Sequence, residues 1–233
     1  MTKEKNLPAE ATSTEVATQE TKAYVAALFQ QMQEDFLAVN ADMDMDFVYM
    51  TTWLSIDSKG NFVEKSGDEV IENYKDVIDV VIAKGEQKFS LWGHEDSPED
   101  GQLIVAEDSR ERAVEVFKEW LELNPQAAER YSEEDIQSRY IAYVVPVGSL
   151  KEDTPKIYTL GMAPTSKMSY GQWGFNLYKG AFKAKGIEKG TGINQVVTRI
   201  TTVSKTNKQK QNYIALQFDA VEMFKPEKYV AKK

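Results

Sequence analysis

The segment Val-Val-Thr-Arg-Ile-Thr-Thr-Val-Ser-Lys (196–205) is joined by Thr-Asn-Lys-Gln-Lys-Gln-Asn (206–212) to Tyr-Ile-Ala-Leu-Gln-Phe-Asp-Ala-Val (213–221). Both flanking runs are rich in β-branched and aromatic residues, and the polar connection between them is typical of a hairpin loop. The sequence therefore predicts that these two runs form an antiparallel hairpin.

The second strand of this hairpin has two distinct faces. Ile214, Leu216 and Phe218 share one face, because side chains alternate along a strand, and we expect that face to point into the core. Tyr213, Ala215 and Gln217 lie on the other face and are expected to point outward. In the first strand both faces mix polar and apolar residues, so its inward face stays open.

The hairpin connection is basic. It places Lys205, Lys208 and Lys210 within six residues, with no acidic residue among them and with Tyr213 next to them. Such a surface suits a single nucleic-acid strand, because cations follow the phosphates while aromatic rings stack on the bases. A solvated loop whose lysines protect the edge of a sheet is the alternative interpretation.

The residues before the hairpin predict a strand and then a helix. Lys156–Met162 alternates as a strand, and Ala-Pro-Thr-Ser (163–166) is a typical helix entry. Through Ser169–Lys185, the spacing of Trp173, Leu177 and Ala181 predicts a face that packs on the sheet, with Tyr170 one turn earlier. Lys167 and Lys179, near the two ends of this helix, offer cations to an anion.

The charges of the chain are divided unequally. Residues 1–150 contain 13 Lys and Arg and 31 Asp and Glu, a net charge of −18, whereas residues 151–233 contain 15 and 6, a net charge of +9; together they give −9. A basic segment in an acidic protein indicates a polyanionic partner. Attraction between the two halves within one fold is the other explanation.

The first half predicts helices at Thr21–Ala38 and Ser109–Leu123. It predicts strands at Phe47–Ile56, Val77–Ala83 and Arg139–Val147, with Lys84-Gly85-Glu86 as a turn. Short strands without a regular strand–helix alternation favour an α+β, mainly β fold, a partly open antiparallel barrel with inserted helices. We expect residues 1–20 to be a flexible arm, and 21–233 to form one domain that is acidic over 21–150 and basic over 151–233.

Several classes of function are excluded by composition. The chain has no cysteine, which removes disulfides, thiolate metal sites and cysteine nucleophiles, and its single histidine, His94, removes sites that need two imidazoles. Asp42, Asp44 and Asp46 could suit a Mg²⁺-dependent nuclease, although a calcium loop fails because Phe47 and Trp53 stand where Gly and Glu are needed. We expect no catalytic residue, metal or cofactor. The absence of a signal peptide and of a long apolar run predicts a cytoplasmic protein.

The order of elements resembles the phage-encoded single-stranded DNA-binding proteins that adopt an oligonucleotide-binding (OB) barrel. The resemblance rests on Tyr-Ile-Ala-Tyr-Val-Val-Pro (140–146), Ile-Tyr-Thr-Leu (157–160), the helix at 166–185 and the two hairpin strands. It implies a non-enzymatic protein of the host cytoplasm that coats single-stranded DNA during phage replication or recombination. Such proteins often end in an acidic tail that recruits partners, whereas this chain ends in basic residues. The acidic first half would then recruit replication or recombination proteins.

These inferences give one set of candidate nucleic-acid contacts. They are Tyr158, Lys167, Lys179, Arg199, Lys205, Lys208, Lys210 and Tyr213. The alternative function is a structural or protein-interaction module, either a virion component or an inhibitor of a host protein, that uses the acidic first half.

Overall fold

The computed structural model describes residues 24–39, 51–67, 69–208 and 210–230. Within them the fold is mixed α+β and mainly β. The strands are β1 (Thr52–Ile56), β2 (Phe62–Ser66), β3 (Glu69–Asn73), β4 (Val77–Trp92), β5 (Leu103–Glu107), β6 (Gln137–Pro146), β7 (Tyr158–Met162), β8 (Val196–Thr206) and β9 (Asn212–Met223). The helices are α1 (Tyr24–Val39), α2 (Arg110–Leu123), α3 (Pro164–Lys179) and the single turn α4 (Pro226–Tyr229).

The strands form one curled, open sheet. Its order is β3-β2-β1-β7-β6-β4-β8-β9, with β5 paired to the far half of β4. All pairs are antiparallel except β1 with β7. The sheet curls far enough for the β1–β2 turn to meet β8, where Thr202 Oγ1 donates to the carbonyl oxygen of Gly60 at 2.6 Å. The predicted mainly β class with inserted helices is therefore confirmed.

The two faces of β6 belong to different parts of the core. Ala142 and Val144 face the cluster that contains Trp173 of α3. Tyr143 and its odd-numbered neighbours face the cluster that contains Phe29 of α1. Because helices cover both faces of this strand, the sequence of β6 contains an almost continuous run of apolar residues.

The structure tests the predicted start of α2 and the predicted buried face of α3. Helix α2 is confirmed, and the Oγ of Ser109 caps it by accepting a hydrogen bond from the backbone N–H of Arg112 at 3.2 Å. In α3, Trp173 and Leu177 are buried as predicted. Ala181 is exposed because the helix ends earlier, at Gly180, whose φ of +79° suits glycine at a helix C-terminus.

The predicted turn at Lys84–Glu86 is wrong, because β4 continues from Val77 to Trp92 through a bulge between Ile82 and Lys84. Gly85 lies inside the strand, where a Cβ would be 2.6 Å from the hydroxyl oxygen of Tyr170. The glycine therefore marks a close approach of aromatic side chains and does not mark a turn.

The C-terminal hairpin is confirmed as β8 paired with β9. Leu216 is buried and Phe218 packs against the core as predicted, whereas the outward position predicted for Ala215 is wrong, because that residue is buried as well. The predicted arm at 1–20 and the aspartates Asp42, Asp44 and Asp46 lie outside the described residues. Among the helices that the structure describes, none has the length and apolar character needed to cross a membrane.

Candidate nucleic-acid interface

The β8–β9 hairpin ends in a well-defined turn. Asn207 and Gln211 close it, since the N–H of Asn207 donates to the carbonyl oxygen of Gln211 at 3.0 Å and the N–H of Gln211 donates to Asn207 Oδ1 at 2.9 Å. Lys205 stands opposite Tyr213 in the ladder. Lys210 has a φ of +60°, a left-handed conformation that turns the chain back into β9.

The lysines of the hairpin tip are exposed and carry uncompensated charge. Within the described ranges, no carboxylate forms an ion pair with Lys205, Lys208 or Lys210. Other cations of the basic half are paired to the acidic half; Lys156, for example, meets Glu64 and Glu72. Attraction between the halves therefore accounts for part of the charge asymmetry, but it does not account for the lysines of the hairpin tip.

Arg199, one of the predicted nucleic-acid contacts, is among the paired cations. Its guanidinium donates two hydrogen bonds of 2.8 Å to the carboxylate of Asp79, the residue opposite it on β4. Those hydrogen bonds, with the charge of Asp79, raise the pKa of Arg199. Two of its five N–H donors are therefore engaged within the sheet, which makes Arg199 a weaker candidate contact than the unpaired lysines.

Tyr158 is misplaced by the sequence prediction. Its side chain is 1% exposed, and its hydroxyl lies 2.6 Å from Glu64 Oε2 and 3.0 Å from the hydroxyl oxygen of Tyr74. Burial, together with these hydrogen bonds, raises its pKa. Because the ring packs into the core cluster that contains Phe62 and Trp173, it is enclosed and cannot stack on a base.

Helix α3 presents the two remaining lysines on its exposed side. Lys167 lies near Gln87, with Nζ 3.5 Å from Oε1, and Lys179 lies over the ring of Phe175, with Nζ 4.5 Å from the centroid. Phe175 is 52% exposed and Tyr178 is 62% exposed, and α3 contains no acidic residue. Sequence reasoning used the helical spacing only to find the buried face, so it missed these two rings.

The start of α3 is fixed beside the hairpin tip. Ser166 Oγ accepts a hydrogen bond from the backbone N–H of Leu216 at 3.0 Å in a buried contact. Next to it, Thr165 lines a shallow hollow together with Tyr213 and the polar residues of the turn. The start of α3, which carries Lys167, therefore lies on the same surface as the hairpin tip, whereas Lys179 lies at the opposite end of the helix.

A cleft with a volume of about 400 Å³ lies next to this surface. The residues after Thr165 and Tyr213, namely Ser166 and Ile214, line the cleft. Its other walls come from β1, β4, β5, β6 and β7. They include Trp53, Trp92, Lys88, Ser90 and Arg139.

The aromatic wall of the cleft is a pair of tryptophans. The rings of Trp53 and Trp92 meet edge to face, with centroids 4.9 Å apart and planes at 85°. They are brought together from strands that the sequence does not link, since β1 reaches β4 only across β7 and β6. The sequence carried one usable signal, the alternation of Lys88, Ser90 and Trp92 on one face of a strand.

No family model, curated protein or solved structure matches this chain. Among the described residues, no group of three or more His, Asp or Glu side chains is placed to hold a metal ion. His94 lies against the ring of Tyr131, at 4.4 Å between centroids. The basic and aromatic surface itself is therefore the feature from which a function can be inferred.

Proposed function

We propose that this chain binds single-stranded DNA without sequence preference and coats and protects it during phage replication or recombination. The observation that carries the proposal is the set of exposed lysines at the hairpin tip, which have no acidic partner among the described residues and lie next to the partly exposed ring of Tyr213 on β9. The exposed rings of Phe175 and Tyr178 on α3 add to the aromatic surface. Lysines neutralise phosphates, and exposed rings stack on bases whatever their identity.

The shape of the sheet supports the same proposal. OB barrels are small, partly open antiparallel barrels that bind oligonucleotides on one face and in the adjoining loops. We propose that this curled sheet is an elaborated barrel of that kind, with the hairpin tip as its binding loop. The interface then consists of Lys205, Lys208, Lys210 and Tyr213 with Lys167 and Lys179 of α3.

A salt titration of binding tests the proposal. Fluorescently labelled oligo-dT and a duplex of the same length are titrated with the protein between 50 and 200 mM salt, conditions over which phosphate contacts weaken strongly. We expect tight binding of the single strand at about 50 mM salt, a steep decrease with salt, and weaker binding of the duplex. Failure to bind the single strand at the lowest salt, or a preference for duplex, would overturn the proposal.

A further inference from the structure

Two cations stand directly opposite each other at the cleft. Lys88 of β4 and Arg139 of β6 are cross-strand partners, and like charges in such positions destabilise a sheet. Lys88 is 3% exposed and its charge is compensated, since its Nζ lies 2.9 Å from Asp108 Oδ1. Arg139 has no such partner among the described residues. Its side chain is exposed to solvent, so its guanidinium is open to an anion from outside the chain.

A second group at the cleft also lacks a partner. The Oγ of Ser90 is buried and makes no hydrogen bond within the described part of the chain, and the side chain as a whole is 5% exposed. Ser90 lies two residues after Lys88, on the face of β4 that lines the cleft. A buried hydroxyl without a partner is unfavourable, so a ligand that offers it an oxygen would be bound more tightly.

Partial burial of the guanidinium lowers the pKa of Arg139, and no carboxylate raises it again. This direction is the reverse of that for Arg199, whose carboxylate partner raises its pKa. The two arginines of the sheet also differ in their contacts: Arg199 is paired with Asp79, whereas Arg139 has no carboxylate partner among the described residues.

The remaining walls of the cleft suit a nucleobase. Trp53 and Trp92 are both partly exposed. Gly161 has no side chain to fill the floor of the cleft, where an added Cβ at this glycine would lie 3.4 Å from the Trp53 ring. A volume of about 400 Å³ is within the range of small-molecule sites. Aromatic rings beside an arginine provide both parts of nucleotide recognition, a surface for the base and donors for the phosphate.

We propose that this cleft is a nucleotide subsite, in which Arg139 and Ser90 bind one phosphate while Trp53 and Trp92 contact the attached base. The inference rests on the proposed function, because it takes the nucleotide to be part of a bound DNA strand. The chemistry it requires, a phosphate joined to a base, is shared by a strand and by a free nucleotide.

The experiment uses Arg139→Gln and a matched control, Arg112→Gln, which removes the same charge from the exposed side of α2. Affinity is measured for oligo-dT, for thymidine monophosphate and for inorganic phosphate. We expect Arg139→Gln to weaken oligo-dT binding about tenfold or more, as for a lost hydrogen bond to a charged group, while the control binds as wild type. Thymidine monophosphate should quench tryptophan fluorescence in wild type and lose this effect in Trp53→Phe. If Arg139→Gln fails to fold, Ser90→Ala is the second variant, with a smaller loss expected.

The outcomes separate the two proposals. If oligo-dT binds equally well to Arg139→Gln and to Arg112→Gln, the subsite is wrong and the proposed function stands. If oligo-dT does not bind but the monophosphate binds in an Arg139-dependent way, the subsite is that of a free nucleotide and the proposed function is wrong. Equal affinity for inorganic phosphate and thymidine monophosphate would overturn the contact between the tryptophans and a base.

Discussion

Arg199 on β8 and Asp79 on β4 lie opposite each other, and the guanidinium donates two hydrogen bonds of 2.8 Å to the carboxylate. This pair joins the basic half of the chain to the acidic half. Lys156 does the same on the other side of the sheet, where it meets Glu64. The basic half therefore contains two populations of cations, one that holds the fold together and one that is left for a partner.

Replacing Arg199 tests this division. We expect Arg199→Gln to lower the free energy of unfolding by about 0–1 kcal/mol, because the pair is partly exposed and exposed pairs contribute little. Affinity for oligo-dT should stay at the wild-type value, as should that of Asp79→Asn, which breaks the same pair from the other side. Chemical denaturation and oligo-dT titration measure the two quantities. A large loss of affinity in Arg199→Gln alone would place this residue in the interface.

Replacing the lysines of the hairpin tip should weaken DNA binding and leave stability unchanged. Neutralising Lys205, Lys208 and Lys210 together by Gln removes three phosphate contacts, and each contact to a single strand contributes about 0.7 to the slope of log K against log salt. We expect the slope to become shallower by about 2, with unchanged stability, in a salt titration against oligo-dT.

The control for this prediction is a triple Gln variant at exposed lysines away from the tip. These lysines are Lys65, Lys118 and Lys151. Both variants carry the same net charge, so a general electrostatic effect would change their slopes equally. Equal slopes would therefore show that the hairpin tip is not the binding surface.

Tyr213 and Tyr158 offer a second pair of opposite expectations. Tyr213→Ala should weaken oligo-dT binding by about 1–3 kcal/mol, the value of one stacked base, with little change in unfolding free energy. Tyr158→Phe should leave affinity unchanged and lower stability by about 1–3 kcal/mol, because it removes the hydroxyl that meets Glu64 inside the sheet. A loss of affinity in Tyr158→Phe together with a loss of stability in Tyr213→Ala would contradict the positions of both rings.

Local patterns were sufficient to predict several elements of this fold. The hairpin follows from two β-branched runs and a polar connection, and α2 follows from the cap at Ser109 and the stop at Asn124–Pro125. In each case the residues that decide the structure lie within a few positions of one another. The same is true of the buried face of α3, where Trp173 and Leu177 are one turn apart.

The cleft depends on contacts between distant parts of the chain, and sequence patterns do not report these. Trp53 and Trp92 are 39 positions apart and meet because of the strand order. Arg139 looked like the first residue of an apolar strand, and its partner Lys88 followed a turn that does not exist. Tyr158 shares a strand face with Leu160 and Met162, and that face packs into the core cluster that buries its ring.

Gly85 lies inside β4, where the sequence predicted a turn. Replacing it gives a stability prediction for which a second glycine, Gly171, is the control. A methyl group at Gly85 would lie 2.6 Å from the hydroxyl oxygen of Tyr170 and 2.9 Å from that of Tyr140, so Gly85→Ala should destabilise the protein by about 1–3 kcal/mol. Gly171, in the middle of α3, has no neighbouring atom within 4 Å of an added Cβ, and Gly171→Ala should stabilise by up to about 1 kcal/mol. Thermal and denaturant unfolding measure both. If Gly85→Ala proved as stable as Gly171→Ala, β4 could not run unbroken beneath the two tyrosines.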